Sequence, residues 1–295
     1  MDWSMIDIIF VNYKSTEHLI RCLFSVEKFC GYDNINILIQ DNASRDDISH
    51  VPSIFPNVQL TVNPTNLGFA KAINQALLKA TGEYVVIMNP DTAVADGFFE
   101  SCIRYMESHP KFGVLGPRIL DGDGTIQNSA RSFPTAWTAF FGRTSWISRH
   151  FPKNPFTRRN LLNLQSDGEN PMEVDWVSGA CMVVRRKAID AVGPMDERFF
   201  MYWEDADWCR RMWNHGWHVV YYPRASVYHF AGKSADKNRF QSAIEFHKSA
   251  YRLFSKYASS SIGKPFAIMG LAAHLCIVLT GKLLMRRKTG YGKQE

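Results

Sequence analysis

The chain has 295 residues, is 46% hydrophobic and carries no repeats or low-complexity tracts, which excludes a disordered or fibrous protein and leaves room for a sizeable core. Its six cysteines form neither a C-x-x-C pair nor a zinc spacing, which excludes a disulfide framework and a zinc finger and reads as reduced cytosolic thiols. The net charge of +6 is uneven: from Gly232 onward there are 12 Lys and Arg against 3 Asp and Glu, so the basic excess is a C-terminal property suited to an anionic surface.

Ile6 to Val11 is a short apolar run with the signature of a buried strand, and no signal peptide is expected ahead of it. Ser15 or Thr16 can cap a following helix whose Leu19, Leu23 and Val26 share one face. Ile35 to Ile39 and Val58 to Val62 read as further strands, the first ending at Asp41-Asn42-Ala43-Ser44. A helix is expected from Phe69 to Lys79, with Gly82 as its stop signal, and a fourth strand from Tyr84 to Met88 ends at Asn89-Pro90-Asp91. Strands alternating with helices imply a parallel α/β sheet, and ligands bind such sheets beyond the carboxyl ends of the strands, where Asp41 and Asp91 lie. Neither G-x-G-x-x-G nor a Walker lysine motif is present, so a dinucleotide dehydrogenase or a P-loop enzyme is not expected. No recognisable nucleic-acid-binding motif appears either.

A helix from Phe98 to Met106, a strand around Val114 and a turn at Asp121-Gly122-Asp123-Gly124 come next. From Ile126 to Ser166 there is no acid, while six Arg and Lys are mixed with Trp137, Phe140, Phe141, Trp146 and Phe151. Such a long segment suits contact with a phosphate-bearing or membrane-bound partner, or packs as a basic surface loop on its own aromatics. Glu173 to Val177 and Cys181 to Val184 read as strands. Phe200 to Arg211 then sets Glu204, Asp205 and Asp207 among aromatics, where charge is out of place unless it is paired or in use. Glu204 and Asp205 fall at the start of a helix, where its dipole stabilises negative charge. Two readings stand: a base held beside Trp203 and Trp208, or a capped helix whose acids pair with Arg210 and Arg211. A strand from Trp217 to Tyr222, the run Tyr228-His229-Phe230 and an amphipathic helix from Ala235 to Tyr257 follow. Phe266 to Met285 has only His274 and Lys282 as basic groups and no acid, and as a helix would reach roughly 30 Å, the thickness of a hydrocarbon core. It suits lying in the membrane plane, docking as a soluble helix or spanning. Arg286-Arg287-Lys288 favours the cytosolic side.

In order, Val11-Asn12-Tyr13, Asp41-Asn42-Ala43-Ser44, Asn66-Leu67-Gly68-Phe69-Ala70, Asn89-Pro90-Asp91, Trp176-Val177-Ser178-Gly179-Ala180, Glu204-Asp205-Ala206-Asp207 and His229 resemble the motifs of inverting family 2 glycosyltransferases. The group is the rhamnosyltransferase-like one that builds bacterial surface polysaccharides, and the resemblance covers about residues 5–257. It implies an α/β chain of GT-A fold, a Rossmann-like nucleotide-binding mixed sheet flanked by helices. Residues 1–120 would be the nucleotide-sugar half and 121–257 the acceptor half. Residues 258–295 would be a basic, membrane-associating helical tail.

By the resemblance, backbone near Val11 and Tyr13 flanks the base, and Asp41 accepts the imide N–H of uracil or thymine. Asn66 and Gly68 approach the nucleotide, where glycine permits close contact. Lys71 reaches a phosphate or is a solvated helix lysine. Asp91 and His229 ligate Mg2+ or Mn2+. Asn89 stands where many members have Asp, so it brings no charge and bonds ribose or a metal-bound water instead. Asp205 is the base, Glu204 orients the acceptor, and Asp207 is scaffold. Asp175, Trp176, Gly179, Ala180 and Trp203 line the acceptor side. The bland readings are a strand-end cap for Asp41, a backbone-bonded histidine for His229 and packing for Trp176. The expected partners are a dTDP- or UDP-sugar, plausibly dTDP-L-rhamnose, a lipid-linked glycan and the inner face of the cell membrane, with no nucleic acid. The rivals are a nucleotidyltransferase, which lacks here its glycine-rich, arginine-bearing turn after the first strand, and a non-catalytic nucleotide-sugar or glycan-binding protein.

Overall fold

All seven residues of β1 (Ile6–Asn12) are buried, as a strand covered on both faces must be. Ile6, Ile8 and Phe10 point to one side of the sheet and Ile9 and Val11 to the other, so one strand feeds two separate cores. The computed structural model describes residues 5–30, 35–134, 155–230, 239–258 and 263–290. The aromatics and basic residues expected to act between 135 and 154 lie outside the described residues.

The first half alternates: α1 (Thr16–Cys30), β2 (Ile35–Asp41), α2 (Val51–Ile54), β3 (Val58–Val62), α3 (Phe69–Leu77), β4 (Tyr84–Met88), β5 (Thr92–Val94), α4 (Phe98–Ser108) and β6 (Phe112–Leu120). The second half is more broken: β7 (Ala130–Arg131), α5 (Pro155–Asn160), β8 (Met172–Glu173), β9 (Trp176–Val177), β10 (Cys181–Arg185), α6 (Arg186–Val192), α7 (Glu204–Asn214), β11 (His218–His229), α8 (Arg239–Tyr257) and α9 (Gly263–Gly290). The main sheet runs β3-β2-β1-β4-β10-β6-β11-β5, with β8 paired to β11, and both halves contribute strands to it. β1 to β4 pair in parallel, as the alternating pattern implies, but β10 enters antiparallel between β4 and β6, so the sheet is mixed. Leu19, Cys22, Leu23 and Val26 of α1 pack on one face with α4, and α3, α6 and α7 cover the other.

Two registers position the site. Asn12 lies opposite Asp41, and His229 lies opposite Thr92, next to Asp91. The second depends on an irregularity. Pro223 has no N–H to give the ladder, so the sequence marks a strand end near Tyr222. Instead the register with β6 shifts between Tyr222 and Ser226, and β11 continues to His229.

Candidate active site

Three groups of expected residues meet along one rim. The first stands at the ends of β1 and β2. Asp41 is buried, and its Oδ1 accepts from Asn12 Nδ2 at 2.8 Å and from the Ser44 hydroxyl, while Oδ2 accepts from Ser44 N–H at 3.2 Å. Asp41 is thus a strand-end cap, and its Oδ2 keeps acceptor capacity. Val11 is buried beneath, Tyr13 is half-buried under Lys14 Nζ, and Lys71 is exposed in the first turn of α3. Asn66 Oδ1 accepts from Gly68 N–H at 2.9 Å, which closes the turn into α3.

Gly68 is also held by the protein's own backbone. Its φ is +86°, and an added Cβ would stand 2.5 Å from the carbonyl oxygen of Phe200. The Phe200 backbone and the positive φ require glycine there independently of any approach to a nucleotide. Phe69 N–H donates to the same carbonyl at 2.7 Å, which ties this corner to the acid motif.

The second group stands at the end of β4. His229 Nε2 lies 3.3 Å from Asp91 Oδ1 and 3.4 Å from Asn89 Nδ2, with both side chains mostly buried. An oxygen and an imidazole donor this close suit one Mn2+ or Mg2+. Among the described residues no group of three or more His, Cys, Asp and Glu stands together, so a cation held here takes its other ligands from the substrate or water.

The third group is the start of α7. Tyr202 and Trp203 are consecutive residues in the left-handed region, with φ of 70° and 71°. That conformation costs of order 1–3 kcal/mol per residue and persists only where its surroundings fix it. Phe246 of α8 fixes it here, with its ring 5.7 Å from Tyr202 and 5.4 Å from Trp203, and Ser249 Oγ donates to Met201 O at 2.9 Å. Asp205 then receives backbone N–H donors on both oxygens, from Gly179 at 2.9 Å and Ala206 at 2.8 Å. Burial nevertheless raises its pKa from the ordinary aspartate value, against those donors and the nearby Arg131. Glu204 is 6% exposed, and its Oε2 has no hydrogen-bond partner among the described residues. Burial first, and the neighbouring Asp205 second, push its pKa well up.

Trp176 faces Trp203 with ring centroids 5.9 Å apart, and the Arg131 guanidinium covers the other part of its surface at 4.8 Å. Two expected acceptor residues have structural bonds: Asp175 Oδ2 accepts from Phe133 N–H at 2.6 Å, and Trp176 Nε1 donates to Ser132 O at 2.9 Å. Asp207 is wholly buried and paired with Arg211, Lys256 and Tyr257, so the capped-helix reading holds for this acid, with Arg211 and not Arg210 as partner. The second and third groups join where Asn89 N–H donates to Ala180 O at 2.9 Å. Gln127, Arg131 and Phe246 were not foreseen. Arg131 alone left a trace in the sequence, as part of the acid-free segment. The buried thiols offer no rival nucleophile, because burial pushes Cys22 and Cys209 up to about 12. A cavity of about 520 Å³ beside α4, lined by Glu100, Arg104, Tyr105, Tyr222 and Arg224 among others, contains none of these groups.

A family model described as glycosyl transferase family 2 matches residues 7–193. The chain is 29% identical over 302 residues to an N-acetylglucosaminyl-diphospho-decaprenol L-rhamnosyltransferase of Mycobacterium tuberculosis, covering 97% of each chain. Among solved structures, it matches the mannosyltransferase PcManGT from Pyrobaculum calidifontis in complex with GDP-Man and Mn2+, with a TM-score of 0.60 and 15% identity over 99% of this chain and 81% of that one. It also matches GalNAc-T7 with UDP, GalNAc and Mn2+, with a TM-score of 0.59 and 16% identity over 77% of this chain and 43% of that one. At these identities the two structures establish the shared fold.

Proposed function

The chain belongs to glycosyl transferase family 2, and from that premise we propose that it is an inverting enzyme moving L-rhamnose from dTDP-L-rhamnose to a hydroxyl of a lipid-linked, diphosphate-bearing glycan during cell-surface polysaccharide synthesis. The observation that carries the reading is the single rim that joins Asp91 and His229 to the Glu204–Asp205 pair through Asn89 and Ala180.

Asp205 takes the proton of the acceptor hydroxyl while that oxygen attacks the anomeric carbon from the face opposite the nucleotide. The bond from that carbon to the diphosphate breaks, the nucleoside diphosphate leaves, and one in-line displacement inverts the centre. The raised pKa of Asp205 makes its carboxylate a stronger base than an exposed one, and the two backbone donors aim it. Glu204, which burial biases towards its protonated form, donates to an acceptor oxygen and holds it against the Trp203 face. Asp41 Oδ2 accepts the imide N–H of the pyrimidine base, a bond that cytosine does not offer. Asp91 and His229 would hold Mg2+ or Mn2+, which when bound neutralises charge growing on the diphosphate. Asn89 supplies no charge beside them. The apolar length of α9 and the basic residues near its end support a place on the inner surface of the membrane that carries the acceptor.

The test is transfer from dTDP-L-rhamnose, with UDP-sugars as the comparison, to a synthetic polyprenyl-diphospho-N-acetylglucosamine in the presence of Mn2+, read by mass spectrometry. A single deoxyhexose addition is expected, and Asp205→Asn and Asp91→Ala should each lower kcat/KM by roughly 10²–10⁴. Turnover that survives either substitution overturns the mechanism, and failure of every pyrimidine donor to bind overturns the role of Asp41.

A further inference from the structure

His229 is held in one tautomer by a residue that the catalytic reading leaves unused. Its Nδ1 lies 2.9 Å from Gln127 Oε1. The Gln127 amide has a single satisfactory orientation, because its nitrogen sits between two acceptors, Asp121 Oδ1 at 2.6 Å and the backbone carbonyl of His229 at 2.8 Å. A carboxylate and a carbonyl have no proton to give. The NH2 group must therefore face them, and the amide oxygen must face the imidazole. That oxygen needs a donor in turn, so Nδ1 carries the hydrogen. In the neutral ring the lone pair then falls on Nε2, the atom that faces Asp91 and accepts from Asn89.

Asp121 is oriented as well. It begins the turn read from Asp121-Gly122-Asp123-Gly124, where its N–H donates to Thr125 O at 2.8 Å and its carbonyl accepts from Gly124 N–H at 2.9 Å, while the Thr125 hydroxyl closes the turn on Asp123 Oδ1 at 2.7 Å. The turn therefore sets Asp121, Asp121 sets the amide of Gln127, and the amide sets the imidazole. Metal-binding histidines generally donate their second ring N–H to an oxygen in this way, which fixes the ring and raises the basicity of the ligating nitrogen.

We propose that Gln127, backed by Asp121, is the positioning residue that presents His229 Nε2 as a cation ligand. The proposal rests on the reading of Asp91 and His229 as the cation pair. Its first readout needs no cation. Long-range 1H–15N correlation on metal-free protein at about pH 8.5, above the ordinary histidine titration, should show His229 protonated at Nδ1. In Gln127→Leu the ring should move towards the Nε2–H form. The second readout is Mn2+ binding in the presence of dTDP, followed by electron paramagnetic resonance. Gln127→Leu should weaken it roughly 10–100-fold, the usual loss for this kind of outer partner. Gln127→Glu keeps an oxygen facing Nδ1 and should stay within a few-fold of wild type. A purely structural role predicts the reverse order, because Gln127→Glu sets a second carboxylate beside Asp121. An Nε2–H tautomer in the metal-free wild type overturns the proposal, as does unchanged Mn2+ affinity in Gln127→Leu. A wild-type chain that takes no Mn2+ with dTDP overturns the cation reading instead, and the tautomer measurement separates the two failures.

Discussion

Glu204 and Asp205 are carboxylates placed where ionisation is unfavourable, and that placement carries a measurable stability cost. Burial raises both folded-state pKa values, and Asp205 raises that of Glu204 further. Between the unfolded and folded values the folded chain binds more protons than the unfolded one, so stability falls as pH rises through that window and stays reduced above it. Glu204→Gln removes one of the two ionisations. Its melting temperature should match wild type at about pH 4 and exceed it near pH 8 by roughly 2–4 °C, or about 1 kcal/mol. An equal gain at both pH values would trace the effect to packing and remove ionisation as its cause. These acids stood out in the sequence because charge among aromatics is unusual, and Asp91 stood out because it ends a buried strand. Gln127 did not, because its role comes from a partner 102 positions away and from an amide orientation that no local pattern encodes.

At the scale of elements, α7 does two jobs from one motif. Its first two acids face the rim, while Asp207, one step further round, fastens the helix to α8. Asp207 is fully buried and meets Arg211 Nε at 3.0 Å, Lys256 Nζ at 2.6 Å and Tyr257 OH at 2.8 Å. Removing one partner from a buried ionic group leaves the others uncompensated, which costs about 3–5 kcal/mol. Arg211 keeps the carbonyls of Val192 and Pro194, and Lys256 keeps Asp196, so the lower figure applies here. Asp207→Ala should therefore lower the urea-unfolding free energy by about 3 kcal/mol. Asp205→Asn loses one of its two backbone bonds and should lower it by less, about 1–2 kcal/mol. Equal stability of the two variants would contradict this division of labour. The same α8 carries Phe246 against the left-handed Tyr202–Trp203 pair, so one helix both braces and orients the start of α7.

Across the whole molecule, what was legible was what is periodic. The parallel half announced itself through apolar runs of strand length alternating with helices whose buried faces recur every three or four residues. The other half depends on strands of two residues, too short for any period, and on β11 continuing past Pro223 through a register shift. The three placements open for the C-terminal helix can now be weighed. The span Lys264–Leu283 has a mean hydropathy of 1.8 with none of its window buried, and Phe266 and Ile277 are each 70% exposed. Yet α9 also packs along α8, where His247 Nε2 and His274 Nδ1 meet at 2.8 Å. A spanning helix would have to leave α8 and strip that contact. A helix lying in the interface keeps it and lays its exposed Phe266, Ile268, Met269 and Ile277 against the lipid, with no acid anywhere from Gly263 to Gly290. The full chain should float with vesicles containing phosphatidylglycerol more than with phosphatidylcholine alone, and salt of about 1 M should weaken the electrostatic share. Phe266→Glu combined with Ile277→Glu should abolish flotation while turnover of a short, water-soluble acceptor persists. Resistance to alkaline extraction would instead mean that the helix spans, and flotation of the double variant would move the membrane contact elsewhere on the molecule.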